Sequence, residues 1–258
     1  MPEGDTIWRV AARLAPALTG AVLVRFAAPR LVGPSPAVGA TIDAVEAVGK
    51  HLLVRFGDGV VVQTHLRMTG SWYLFRPGAP WSRPRHQARV EIETASWLAV
   101  CFSAPVVRSS RGAPAIGHLG PDLTGPDPDL DRVRRLVLAS PGARPVADVL
   151  LDQRLAAGIG NVYKCEVLWR HRLSPSLPVG LLDAGAIDAL YADAHVLLRR
   201  NLGPGSRRTV TGIPGGLAVY RRKGLPCLRC AGAIDLALLG DPARSTYWCP
   251  RCQPDPLR

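Results

Sequence analysis

Lysine is nearly missing from this chain. Of its 32 basic residues only Lys50, Lys164 and Lys223 are lysines; the others are arginines. Arginine grips phosphate through a planar fork and stays charged at any ordinary pH. A lysine kept in such a chain marks a place for an amine able to lose its proton, and Lys50 is the first candidate. Also missing is any apolar run near the roughly 18 residues of a membrane span, so no membrane partner is expected. The first residues show no basic stretch followed by an apolar one, the pattern of a secretory signal, and the cytoplasm is the expected compartment. Internal repeats and low-complexity tracts are absent as well.

What is present fits a folded protein with a polyanionic partner. The 258 residues, 47% hydrophobic, suffice for one large domain or two ordinary ones. The net charge is +12. A protein this basic most often meets nucleic acid, the plainer reading being a generally solvated basic surface. Distribution favours the first: from Arg199 to Arg258 eleven Lys or Arg face three Asp.

Residues 3–18 read as an amphipathic helix, with Ile7, Val10, Ala11, Leu14 and Leu18 on one stripe and Gly20 just past the end. From about 21 to 103 the pattern is of strands: 22–24, 52–56, 60–62, 72–75, 90–92 and 97–102. Gly57-Asp58-Gly59 reads as a hairpin turn. Short strands at this spacing predict a β-sandwich or barrel. Residues 104–128, rich in Pro, Gly and Ser, read as a linker or long loop. Helical patterns follow over 129–139, 145–152, 161–171 and 181–200, then a flexible stretch at 201–218.

The strongest motif is Cys227-x2-Cys230-x18-Cys249-x2-Cys252. Two CxxC knuckles at this spacing make a four-thiolate zinc site of ribbon type, structural because no ligand position stays open. A disulfide set is the alternative, and it belongs to secreted proteins. Cys101 and Cys165 read as small buried apolar residues. Gly158-Ile159-Gly160-Asn161 lies between two helical patterns. Asn161 is placed to cap the second helix, whose N–H groups suit a phosphate; an ordinary helix corner fits equally well. At the other end, Pro2 becomes a terminal secondary amine once Met1 is removed, with Glu3 beside it. Such an amine attacks electrophilic carbon, and Glu3 is placed to move protons. Pro at this position also occurs with no role beyond Met removal.

Taken in order, Pro2-Glu3-Gly4, Gly49-Lys50-His51-Leu52, Gly158-Ile159-Gly160-Asn161-Val162-Tyr163 and Tyr220-Arg221-Arg222-Lys223-Gly224 with the four cysteines resemble the formamidopyrimidine-DNA glycosylase/endonuclease VIII family over essentially the whole chain. Met1-Pro2-Glu3-Gly4-Asp5-Thr6 is more similar to the endonuclease VIII branch. The resemblance implies an α+β multidomain protein: an N-terminal β-sandwich with the catalytic N-terminal helix (residues 1–115), a helix–two-turn–helix domain (128–205) and a zinc-finger β-hairpin (217–258).

It implies that Pro2 is the nucleophile, Glu3 the general acid/base and Lys50 an amine near the lesion. Asn161 and Arg244 would hold DNA phosphates. Met68, in His65-Leu66-Arg67-Met68-Thr69-Gly70, would fill the void left by an extruded base, with His65 beside it. Arg221 and Arg222 would add phosphate contacts. Two features depart from the family: Thr6 stands where a second acid is usual, and residues 106–112 lack the usual companions of the wedge. The function implied is a bifunctional DNA glycosylase/AP lyase acting as a monomer on damaged double-stranded DNA, with single-stranded or bubble DNA as a further substrate. One structural zinc ion per chain is expected. Oxidised pyrimidines are the expected lesions. A formamidopyrimidine/8-oxoguanine glycosylase is the alternative enzyme, and a non-catalytic damaged-DNA-binding protein the alternative from another class.

Overall fold

A computed structural model describes residues 2–241 and 243–255. The chain divides into two compact units, residues 1–118 and 119–258.

The first unit begins with helix α1 (Gly4–Leu18). Its stripe of Ile7, Ala11, Leu14 and Leu18 is buried, as the spacing predicts. Eight strands follow: β1 (Arg25–Ala27), β2 (Ile42–Val48), β3 (His51–Phe56), β4 (Val60–His65), β5 (Ser71–Phe75), β6 (Ala88–Glu93), β7 (Leu98–Phe102) and β8 (Val106–Arg111). They form two four-stranded sheets, in the orders β1-β6-β7-β5 and β2-β3-β4-β8, and every pairing is antiparallel. The inward faces share one core with α1, among them Leu52, Val54, Phe56, Val62, Trp72, Val90 and Ile92. This is the predicted β-sandwich. Strand β7 is buried along its whole length because the outer face of its sheet is covered too, by Tyr73, Phe75 and Trp81 around Phe102.

Three segments depart from the sequence reading. The segment 22–24 is not a strand: Val22 and Val24 are exposed and only Leu23 is buried. Its backbone is shared between partners, Leu23 N–H donating to Ala40 and Val24 N–H to Glu93, so regular pairing starts only at Arg25. Strand β2 carries a bulge between Ile42 and Ala44, which breaks the alternation that would have marked it. Strand β8 lies inside the expected linker. Its Val-Val-Arg-Ser-Ser-Arg sequence has little apolar signal because it is an edge strand, with only Val107 buried.

The second unit holds helices α2 (Leu130–Leu138), α3 (Val146–Leu151), α4 (Asn161–Arg170) and α5 (Ala184–Arg200), then an antiparallel hairpin, β9 (Asp235–Leu239) and β10 (Arg244–Trp248). Asp129 and Asp183 cap α2 and α5 by accepting from the Arg132 and Ala186 amides, both at 2.7 Å. Side chains hold the turns between α3 and α4. The Gln153 amide donates to the Leu151 and Ile159 carbonyls while its oxygen accepts from Gly158 N–H. Asp152 is bound by the Arg154 guanidinium, which holds its carboxyl down at about 2 against the opposing effect of partial burial. Val133, Leu150, Ile159, Tyr163, Leu190 and Leu198 belong to the core of this helical part. A second cluster, with Trp169, Ala218, Val219 and Ile234, underlies the cysteine hairpin. The helix–two-turn–helix layout and the hairpin are thus as expected. Among the described residues no helix is long and apolar enough to cross a membrane.

Candidate active site and DNA-binding elements

Helix α1 fixes the start of the chain. Glu3 is its N-cap, and its carbonyl accepts from the Thr6 and Ile7 amides. The Glu3 side chain is 0% exposed, directly beside half-buried Pro2. A carboxylate at this end of a helix is favoured by the positive pole of the backbone dipoles. Met1 lies outside the described residues. Asp5 is buried as well and accepts from Arg9 Nη2 at 3.4 Å and Thr6 Oγ1 at 3.3 Å. Thr6, the departure from the family pattern, is therefore a hydrogen-bond donor to its neighbour.

Lys50 sits in the two-residue turn between β2 and β3, where Gly49 takes φ 55°. His51 pairs with His65 across β3 and β4. That register brings the Lys50 turn and the Met68 turn to the same end of the sheet. The two imidazoles meet edge-on with ring centroids 4.8 Å apart. Burial, reinforced by the charges of its neighbours His65, His118 and Lys50, lowers His51 to about 4. Burial, then Lys50 and Arg67, lowers His65 to about 4. Both are neutral at neutral pH, which leaves His65 Nδ1 free to accept from Arg67 N–H at 3.1 Å.

Met68 is not a core residue; it is 73% exposed. The turn that carries it is tightly built. Gly70 N–H donates to Leu66 O at 2.8 Å, and Thr69 Oγ1 donates to Ser103 O at 2.9 Å. A Cβ on Gly70 would lie 2.7 Å from Leu66 Cα, so glycine closes this turn.

In the second unit, α4 and β10 are stitched together. The cap of α4 is Gly160, extended at φ −123° with no side-chain bond, so the capping role expected of Asn161 is not what the structure contains. The glycine turn starts the helix one residue early and aims the Asn161 side chain at the hairpin instead. Its Nδ2 donates to Ser245 O at 2.5 Å, and its Oδ1 has no partner among the described residues. Ser245 follows Arg244, the exposed first residue of β10. Asn161 and Arg244 are thus brought together through one carbonyl. Lys164, fully buried, donates from Nζ to Thr246 Oγ1 at 2.7 Å on the same strand.

Sequence reading missed Lys164 and its neighbour Glu166. The scarcity of lysine was a usable signal for the first. For the second, the only sign is an acid inside the apolar run Val162 to Trp169. Arg221 is exposed, with a strained φ of 61°. Arg222 is committed to backbone, Nη1 donating to Leu217 O and Nη2 to Pro226 O.

The four cysteines converge. The sulfurs of Cys227, Cys230, Cys249 and Cys252 all lie within 4.8 Å of one another, and two pairs stand at 3.5 and 3.8 Å. Tetrahedral zinc with Zn–S near about 2.3 Å needs S···S distances of about 3.8 Å, so the residues fit the ion. Burial pushes the Cys227 thiol up, but the Arg229 amide and Trp169 indole that donate to its sulfur prevail and lower it to about 6, toward the thiolate that binds metal. Among the described residues no other group of His, Cys, Asp or Glu is arranged for a metal.

Two family models match the chain: the formamidopyrimidine-DNA glycosylase N-terminal domain over residues 1–105 and the formamidopyrimidine-DNA glycosylase H2TH domain over residues 119–211. The chain is 46% identical to a probable endonuclease 8 2 of Streptomyces coelicolor, over 99% of this chain and 95% of that one. The chain belongs to the formamidopyrimidine-DNA glycosylase/endonuclease VIII family. It is also 38% identical to the DNA-(apurinic or apyrimidinic site) lyase Nei2 of Mycolicibacterium smegmatis, over 98% and 99% of the two chains. A Lactococcus lactis Fpg mutant bound to Fapy-dG-containing DNA superposes with a TM-score of 0.83 at 25% identity, covering 98% of this chain and all of that one. Several endonuclease 8 relatives place the chain on the endonuclease VIII side of the family. It is a DNA repair enzyme with the glycosylase and AP-lyase activities of that family, a structural zinc site and damaged double-stranded DNA as its partner.

Two outcomes are expected of the hairpin. Metal analysis of purified protein gives one zinc per chain. Cys249→Ser releases it and abolishes DNA binding, while melting of the first unit is retained, because thiolate–zinc bonds carry the folding energy of such small elements. A metal-free wild-type protein overturns the site. Arg244→Ala keeps its zinc but binds a duplex with a reduced abasic analogue more weakly, and its log affinity against log salt flattens by about 0.9 for each phosphate that the side chain no longer neutralises. An unchanged slope makes Arg244 a solvated surface charge.

Proposed function

We propose that this enzyme excises oxidised pyrimidines from duplex DNA, with Pro2 as nucleophile, and cuts the strand on both sides of the abasic sugar. The observation that carries the reading is the wholly buried Glu3 carboxylate beside Pro2. Adjacent in sequence and shielded from solvent, the carboxylate stands beside the Pro2 nitrogen, where it can take and return protons. Opening Pro2-Glu3-Gly4 and similarity to endonuclease 8 proteins favour pyrimidine over purine lesions.

The chemistry follows from the groups available. With Met1 removed, the Pro2 nitrogen lone pair bonds to C1′ of an extruded nucleotide. The base leaves with the electrons of the glycosidic bond and takes the proton of the Glu3 carboxyl, which becomes a carboxylate. The nitrogen, now cationic, gives its proton to Glu3, which returns it to O4′ as the sugar ring opens to an iminium between Pro2 and C1′. The iminium acidifies the C2′ proton; its loss expels the 3′ phosphate. A second elimination expels the 5′ phosphate, and water releases the sugar remnant and restores the amine. Lys50 supplies a cation beside the reacting sugar. Asn161 and Arg244, with Arg221, hold phosphates flanking the lesion. Arg222 shapes that surface through the carbonyls it binds, and Met68, on the turn that His65 braces, fills the space vacated by the base. Extrusion costs a few kcal/mol, least at damaged pairs. The enzyme works as a monomer on the bacterial nucleoid, in the cytoplasm.

Borohydride reduction on abasic DNA should trap a covalent complex whose N-terminal tryptic peptide carries the sugar, and a form that retains Met1 should trap poorly, its proline nitrogen being an amide. Equal trapping by both forms sinks the Pro2 assignment, and no trapping at all leaves a damaged-DNA-binding protein. Glu3→Gln should lose base excision far more than cleavage of a preformed abasic site. Equal loss of both, at unchanged DNA affinity, removes Glu3 from the base-expelling step. Duplexes with single defined lesions separate pyrimidine from formamidopyrimidine or 8-oxoguanine substrates.

A further inference from the structure

Helix α4 sends its buried polar side chains to two different segments. Glu166 accepts from the Ala218, Val219 and Tyr220 amides. Asn161 and Lys164, three residues apart on one helix face, reach strand β10 instead. Lys164 is 1% exposed and Thr246 0%, so their contact is made away from water. Lys164 Nζ donates to Thr246 Oγ1 at 2.7 Å, and the same hydroxyl donates to Arg244 O at 3.0 Å. An ammonium at one end of this relay thus holds, through one hydroxyl, the carbonyl of an exposed arginine.

The direction of the relay is fixed. An ammonium only donates, so Thr246 Oγ1 accepts from Lys164 and keeps its own proton for the Arg244 carbonyl. Bonds linked in this way polarise one another. The hold falls at the end of the ladder. Arg244 opens β10 and pairs with Leu239, the last residue of β9, so it stands at the mouth of the turn. Alternate side chains of a strand share a face, which puts Arg244 on the face of Thr246. Lysine suits the enclosed position because its charge is compact, whereas a guanidinium brings five donors to be satisfied.

We propose that Lys164 is a positioning residue for DNA binding: through Thr246 it sets the backbone of Arg244, and so the point from which that guanidinium reaches a phosphate. The inference rests on the phosphate role proposed above for Arg244 and names the group that aims it. Asn161 holds the next carbonyl, Ser245 O, so the two anchors fix successive peptide units of the strand. Lys164 and Thr246 are both enclosed and cannot touch DNA themselves. Thr246 is uncharged as well, so its effect on phosphate binding has to pass through the strand.

Lys164→Met removes the amine and keeps an unbranched stem; Thr246→Val removes the hydroxyl and keeps the shape. In the full-length zinc protein, binding to a duplex with a reduced abasic analogue should weaken by about tenfold in the first and about threefold in the second, the worth of one hydrogen bond with and without a charge. Thr246→Ser, which keeps the hydroxyl, should bind like wild type. Thr246→Val should also flatten the salt dependence, by up to about 0.9 for one phosphate, although no charge has been removed. In an Arg244→Ala background both substitutions should change affinity by less than about twofold, because the group they aim is gone. Hydrogen exchange across β10 should quicken in both variants while α5 is unchanged. Equal losses with and without Arg244, or wild-type exchange in β10, overturn the proposal, and Thr246→Val decides it if Lys164→Met loses zinc or fold. If Arg244→Ala itself binds like wild type, the phosphate role of Arg244 fails, and the exchange data alone still judge the anchor.

Discussion

Everything in the second unit depends on satisfying the polar side chains that α4 carries into the interior. A short helix with Asn161, Lys164 and Glu166 all buried is costly unless each finds a partner. The partners are not helical: Ser245 and Thr246 on the hairpin strand, and the Thr209 to Tyr220 loop. The Tyr247 N–H also donates to Cys165 Sγ, so the helix is tied along its length to chain that is not helical. This polar seam adds to the apolar cluster under a hairpin whose five-residue strands are too small to stand alone. The zinc cluster closes the far side of the same seam, with Trp169 of α4 under Cys227.

The first unit follows a different logic. Its shape comes from two sheets and α1 closing on a large apolar core, and the candidate chemistry lies where that core ends. Glu3 and Asp5 stay buried at the first turn of α1, and Lys50 and Met68 project from turns at one end of the β2-β3-β4-β8 sheet. The rigid parts are thus paired strands, and Lys50 and Met68 sit on turns between them, whose glycines at 49 and 70 set the geometry.

Much of this was legible in the sequence for a physical reason. Period and spacing are local, so α1, α2, α4, α5 and the cysteine set could be read directly. Strand β8 could not, since an edge strand facing solvent carries Arg108, Ser109, Ser110 and Arg111 like any loop. Strand β2 was obscured by its bulge. At the site, Pro2, Glu3, Lys50 and the cysteines stood out through residue type and order, and family likeness linked Asn161 with Arg244. The same reading misjudged how Asn161 is used, because a cap and a cross-link ask for the same side chain, and only the Gly160 backbone tells them apart. Glu166 was invisible because its partners are backbone amides, which every sequence has.

The Met68 turn carries one more consequence. Its base is stiff: the Gly70–Leu66 bond, the Thr69–Ser103 bond and the His65 acceptor leave the backbone few alternatives. Its tip is the opposite, an unbranched thioether with three rotatable bonds and a polarizable sulfur. A firm mount with a pliable tip delivers apolar surface to a fixed place without demanding a fixed outline from what it meets. Such a device conforms to its surroundings and does not select among them, so any discrimination in this molecule has to be made by groups less forgiving than methionine.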